Sequence, residues 1–241
     1  MCGRFALQKP TDVLRLLFGL EGSPEWPSRF NIAPTQAILA VRPGAGEDIG
    51  ELNTGPTSIC LLRWGLIPGW SKDPSIASSL INARAETIAF KPSFRAAYQR
   101  RRCLIPVSGF YEWKKIGAAK QPYKITMADG APFALAGIWE RWQGADGSDV
   151  DTCSIITCVA NDDVAHLHGR MPVILNAPDY EPWMREAGRA ASKFLRPFKG
   201  PVPLVTAPVS LKVNNVRNDG EDVWQRAPSI IADKDNQLPL L

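Results

Sequence analysis

The 241-residue sequence predicts an α+β fold: a single domain with a largely antiparallel, barrel-like β-sheet flanked by helices. Three observations carry that expectation. Apolar runs of strand length crowd together from Cys103 onward, hairpin-length turns ("IGAAK", "ADG", "GADGSD") join them, and helical periodicity is confined to short segments. Short connections imply antiparallel neighbours, because a parallel pair needs a long crossover.

The elements follow in order. After a first strand in "MCGRFAL", the stretch "KPTDVLRLLFGLEG" reads as a helix capped by Thr11 or Asp12, with Val13, Leu14, Leu17 and Phe18 on one face and Gly19 or Gly22 at its end. "FNIAPTQAILAVR" is extended, and the polar loop "PGAGEDIGELNTGPTS" reads as a hairpin excursion. "ICLLRWGLIPGW" is a strand and then a turn; "SSLINARAETIAF" is extended, and "SFRAAYQRRR" is a short helix capped by Ser93. Strands follow in "CLIPVSGFYEWKK", "QPYKITMA", "PFALAGIWERW", "TCSIITCVAN" and "MPVIL". Helices in "PDYEPWMREA" and near "SKFL" precede a closing strand in "VPLVTAPV". No linker divides the chain, so residues 1–225 are expected to form one domain, with 226–241 as a tail.

Composition narrows the function classes. With 45% hydrophobic and 22% charged residues, the chain is an ordinary globular protein. Its longest apolar runs fall well short of the roughly 20 residues a membrane helix needs, and no signal peptide pattern opens it, so a cytoplasmic protein without membrane contact is expected. Five cysteines form no CxxC pair and leave an odd count, against a disulfide framework or a zinc ribbon, and four of them read as inert core thiols. The net charge of +4 is concentrated in Lys91, Arg95, Arg100, Arg101 and Arg102, which suits either a polyanion or a solvated helix end.

Five short stretches can carry chemistry. Cys2 follows the initiator methionine; once Met1 is trimmed it holds a free α-amine beside its thiol, a pair selective for aldehydes, although a small apolar strand residue would look the same. In "INARAET", Asn82, Arg84 and Glu86 project to one face of an extended chain, to grip a phosphate or carboxylate through Arg84 or to form an Arg84–Glu86 pair on an exposed face. In "GFYEWKK", Glu112 shares a face with Phe110 between aromatics, which suits it to proton transfer near neutral pH if buried, whereas a solvent-facing glutamate would pair with Lys114 or Lys124. His166 and His168 of "HLHGRMP" point the same way on a strand. No third ligand is close in sequence, so an acid or base with Arg170 beside it is favoured over a metal pair, and a capping or core histidine stays open. "RWGLIPGWSKD" interleaves Arg63, Trp64, Trp70 and Lys72, as single-stranded nucleic acid binders do, with Trp64, next to the strand run, read as the core ring and Trp70, in the turn, as the platform.

Together, the N-terminal cysteine and "FNIAPTQ", "RWGLIPGW", "INARAE", "GFYEW" and "HGRMPVIL", in this order, closely resemble the SOS response-associated peptidase (SRAP) family, from Met1 to about residue 220. Gly169 departs from the family pattern, which often has an acid there that would orient His168. The resemblance implies the SRAP fold and a sensor of abasic sites in single-stranded DNA, cross-linking covalently through Cys2. It assigns proton transfer to Glu112 and His168 and orientation of Cys2 to Asn82. Arg4, Arg84 and Arg170 are then expected as phosphate contacts, with Trp64 and Trp70 as stacking or wedge rings. No metal or organic cofactor is implied; a monomer is expected, associated with the nucleoid through DNA if bacterial. Autoproteolysis and strand cleavage would be secondary. The rival readings are an N-terminal-nucleophile glutamine amidohydrolase, whose amine is the base and whose thiol attacks an amide, and a non-catalytic single-strand binder.

Overall fold

The computed structural model describes residues 2–21, 25–44 and 55–229. Much of the polar loop, the Gly22 alternative for the first helix end, Met1 and the tail from residue 230 lie outside the described residues.

The chain opens with β1 (Phe5–Leu7), α1 (Pro10–Phe18), β2 (Arg29–Ile32), β3 (Ala37–Pro43) and β4 (Thr57–Trp64). α1 is capped neither by Thr11 nor by Asp12: Lys9 is the N-cap residue and Pro10 opens the helix, where a missing N–H costs nothing. Gly19 ends it at φ 65°, as expected. β3 and β4 form an antiparallel hairpin from Ala37 opposite Arg63 to Pro43 opposite Thr57, so the polar loop does leave and return along one ladder.

Next come β5 (Asn82–Arg84), α2 (Arg95–Arg100), β6 (Arg102–Val107), β7 (Gly109–Ile116), β8 (Ala119–Met127), β9 (Phe133–Gln143) and β10 (Asp149–Val159). Two expectations are corrected here. "SSLINARAETIAF" is a strand over three residues alone, preceded by a 3₁₀ turn at Pro74–Ser79. "CLIPVSGFYEWKK" is two strands, β6 and β7, which join different sheets around Ser108. The Ser93 cap also fails, since Phe94 is the N-cap residue of α2. The remaining elements are α3 (Asp162–Ala165), β11 (Arg170–Pro172), β12 (Ile174–Leu175), α4 (Tyr180–Arg185), a 3₁₀ turn at Ala190–Phe194 and β13 (Leu204–Pro208).

β10, β4, β3, β6 and β9 follow one another edge to edge, and β9 pairs back onto β10, closing a barrel. The second sheet, in the order β13-β8-β7-β1-β2, is antiparallel throughout. Among the described residues, the parallel pairs are β10 with β4 and β10 with β5. The two halves of β10 therefore do different work: its first half closes the barrel, and its last residues hold β5 on one edge and β11 on the other.

Arg102 shows how the helices are fixed. Its buried guanidinium donates to the carbonyls of Tyr98 and Gln99 near the end of α2, and of Trp183 and Glu186 at the end of α4, satisfying groups that a helix terminus leaves without partners. Arg101 pairs with Glu140. Two of the five cations in the basic segment are thus structural. At the far edge, Asp219 accepts hydrogen bonds from the amides of Phe30 and Asn31 on β2, both 2.6 Å, and pairs with Arg29 at 2.8 Å. The buried Asn31 amide donates to the carbonyls of Val213, Asn215 and Asn218, so the segment after β13 is fastened along β2.

Gly65 turns the chain out of β4 at φ +123°, and a Cβ there would lie 2.7 Å from the Ala77 carbonyl oxygen. Backbone strain and a main-chain clash then act together. Gly65→Ala is expected to lose about 2 kcal/mol or more of unfolding free energy, measured by urea denaturation, and to displace the loop that carries Trp70.

Candidate functional site

Cys2 enters the core just ahead of β1 and is 0% exposed. Glu112, on β7, is 3% exposed. Phe110 of β7 pairs with Phe5 of β1 and joins the main core with Cys2, while Tyr111 belongs to the smaller core on the other face; Glu112, two residues on from Phe110, shares the Cys2 side. Alternation thus turns Glu112 inward, as the sequence pattern suggested. Asn82 of β5 donates from Nδ2 to the Cys2 carbonyl at 2.8 Å. Its Oδ1 is buried with no hydrogen-bond partner, an acceptor left for whatever enters the site.

Burial pushes the Cys2 thiol well above the ordinary thiol range, the negative charge of Glu112 pushes it further, and a hydrogen bond from the Arg4 backbone N–H acts the other way. At neutral pH the sulfur is therefore a protonated thiol. Glu112→Gln removes one raising charge, so the Cys2 titration midpoint is expected to fall while staying above the ordinary value, because burial remains. The chemical shift of a labelled Cys2 Cβ followed against pH checks this; an unmoved midpoint would mean that the carboxylate does not reach the sulfur. Cys103, Cys153 and Cys158 are buried and Cys60 is half-buried; burial pushes Cys60 up to about 11 and Cys158 to about 12.

The histidines are not on a strand, contrary to the sequence reading. Asn161 starts the short helix α3, His166 ends it, and His168 lies in the loop entering β11. Their shared direction therefore fails; His166 Nε2 lies 3.3 Å from Thr206 Oγ1 instead. His168 Nδ1 lies 3.0 Å from the Arg170 amide nitrogen and 3.3 Å from the Arg170 carbonyl oxygen, so the main chain of Arg170 meets that edge of the ring. The main chain thus orients this imidazole without any acid at Gly169.

The sequence profile of the family described as "SOS response associated peptidase (SRAP)" matches residues 1–216. The chain belongs to the SRAP family. Among its relatives, the abasic site processing protein YoaM of Bacillus subtilis (strain 168) is 40% identical over 189 residues, covering 76% of this chain and 79% of the relative. The abasic site processing protein YedK of Escherichia coli (strain K12) is 35% identical over 240 residues, covering 93% and 99%. The X-ray crystal structure of a protein from Bacteroides thetaiotaomicron superimposes with a TM-score of 0.78 at 25% identity, covering 94% of this chain and all of that one.

The side chains expected to meet DNA are placed unevenly in this SRAP chain. Trp70 is 62% exposed in the turn after β4, whereas Trp64 is 0% exposed, packs on Phe5 at 5.3 Å and donates its indole N–H to the Ile81 carbonyl. No base can stack on Trp64, and its role is in the core. Arg84 is exposed. Arg170 binds Glu86 through both terminal nitrogens, so Arg170 stands where the alternative Arg84–Glu86 pair would have put Arg84. Arg4 is half-buried, donating from Nη1 to Asn31 Oδ1 and to the Val213 carbonyl, both 2.7 Å, with its guanidinium 5.8 Å from the Trp113 ring. Its Nε is buried without a partner, and desolvation lowers its pKa. No carboxylate pairs with Arg4 among the described residues. Sequence reasoning passed over Phe90, which is 78% exposed in the turn beyond β5; a large ring set beside Lys91 and Pro92 was the available signal.

Proposed function

We propose that this SRAP-family protein processes abasic sites in single-stranded DNA by forming a covalent thiazolidine with the open-chain sugar aldehyde through Cys2. One observation carries the reading: a buried cysteine at the second position is held by Asn82 through its carbonyl and faces the charge of Glu112. The names of the relatives support DNA with abasic sites as the substrate class.

Removal of Met1 must come first, since it frees the α-amine, whose reference pKa of about 7.7–8.0 leaves a useful neutral fraction at pH 7. The amine adds to the aldehyde carbon and water leaves, giving an imine. The thiol then adds across the carbon–nitrogen double bond: sulfur bonds to carbon and a proton goes to nitrogen. Both nucleophiles belong to one residue, so ring closure is favoured by proximity. The thiol proton is assigned to Glu112, whose charge acts on the Cys2 sulfur, and passes from there to the nitrogen. His168 is assigned to protonating the departing hydroxyl. The open Asn82 Oδ1 is assigned to a hydroxyl of the sugar.

Phosphate contacts are assigned to Arg4, Arg84 and Arg170 and stacking to Trp70, with Phe90 added to them. Arg4 is the strongest of the cations, because its charge is only partly hydrated and is met by neutral oxygens alone. The working unit is a monomer, and cleavage of the strand or of the chain's own N-terminus is secondary.

The test is direct. Methionine-processed protein is incubated with an end-labelled single strand bearing one abasic site, and with an intact control, then heated and run on a denaturing gel. A shifted band with the abasic strand alone is expected. Retention of both strands in native gels with no heat-stable band would mean a non-covalent binder, and ammonia release from glutamine without an adduct would mean an amidohydrolase.

A further inference from the structure

Arg170 and Glu86 meet in two parallel bonds, Nη1 to Oε1 at 3.1 Å and Nη2 to Oε2 at 3.0 Å. This is the fork geometry with which arginine grips a phosphate. The arginine is anchored from behind as well, since Nη2 donates to the Thr157 carbonyl at 2.7 Å and Nε lies 3.4 Å from Thr157 Oγ1. Its direction therefore does not depend on Glu86. The two partners differ in exposure: the Arg170 side chain is 16% exposed and that of Glu86 48%, on a turn where the Thr87 amide bonds the Arg84 carbonyl. The Glu86 side of the pair is open to water, so another anion can reach the guanidinium as the carboxylate leaves.

We propose that Glu86 is a built-in stand-in for a backbone phosphate, occupying the Arg170 fork in the free protein and displaced from it when single-stranded DNA binds. The proposal rests on the DNA reading above. Glu86 acts through Arg170: it lowers affinity for any strand by making each binding event expel a carboxylate, which keeps binding to undamaged single strands weak. The pair also bridges the two strands on opposite edges of β10, because Glu86 follows β5 and Arg170 begins β11, so a phosphate that opens it is sensed by both.

The experiment measures binding of a labelled single-stranded oligonucleotide by anisotropy over a range of salt for wild type, Glu86→Gln, Arg170→Gln and the double variant, with gel cross-linking in parallel. Freeing one phosphate seat is expected to tighten binding about four-fold at 0.15 M salt and to steepen the slope of log K against log salt by about 0.7. In the Arg170→Gln background the Glu86 change is expected to matter less than about two-fold. No gain from Glu86→Gln, or an equal gain without Arg170, overturns the stand-in role; the second result would assign the effect to net charge. If wild type cross-links the abasic strand while these results fail, the stand-in alone is wrong. If wild type neither binds nor cross-links, the DNA reading fails and takes the stand-in with it.

Discussion

Cys2→Ala is expected to abolish the heat-stable adduct with an abasic single strand while leaving an imine that borohydride can trap. Alanine keeps the α-amine after methionine removal, so the first addition survives and the ring cannot close. Intramolecular nucleophiles gain effective molarities of about 10⁵ M or more, and the lost adduct should accordingly fall by at least about a hundred-fold in yield. The stranded imine is open to β-elimination, so the variant should cut the abasic strand more than wild type does. Cys2→Ser separates geometry from sulfur, because its hydroxyl closes a weaker ring. A Cys2→Ala protein that still gave a band resistant to heat without borohydride would remove the thiazolidine from the mechanism.

Trp64→Ala is expected to have the largest effect on stability. The side chain is fully enclosed at the end of β4, lies against Phe5 and donates to the Ile81 carbonyl at 2.9 Å. Its removal leaves a cavity and takes one of two donors from the Ile81 carbonyl, which keeps the Ile155 amide, a loss of about 3–5 kcal/mol, readable as a lowered midpoint in urea. Phe5 lies three residues after Cys2, and Ile81 immediately precedes Asn82. The cavity therefore slackens both ends of the Asn82–Cys2 hydrogen bond, and cross-linking should slow even where the variant is folded. Trp64→Phe keeps most of the packing and loses the hydrogen bond, so it should lie between the two. A loss below about 1 kcal/mol for the alanine variant would contradict the burial.

The parts of this molecule legible in the sequence are those set by local rules. Turn residues between apolar runs marked the hairpins around β8, β9 and β10, and period-two alternation put Glu112 on the Phe110 side of β7. Tertiary choices were not legible. "GFYEWKK" and "CLIPV" form one extended run, and nothing local says that the chain changes sheets at Ser108. "INARAE" has strand spacing throughout, but β5 stops at Arg84 opposite Thr157, although β10 runs on to Val159, because the chain turns there, with the Thr87 amide bonded to the Arg84 carbonyl. The histidines were misread for want of weighing a signal that was present: Asn161 ahead of Asp162 and Asp163 is a helix start. The pairing of Arg170 with Glu86 joins the start of β11 to the turn after β5, and sequence separation concealed it. Asn31 stood in a recognised motif, yet its task emerged only when residues 213–218 came round to meet it.

That last contact bears on solubility. β2 is the outer strand of its sheet, and an outer strand offers its amide groups to any other chain with a matching edge. Here Asp219 occupies the amides of Phe30 and Asn31, and its partner Arg29 places a charge at the same margin. The segment that returns along β2 thus guards the sheet against edge-to-edge association, and does so with a single carboxylate.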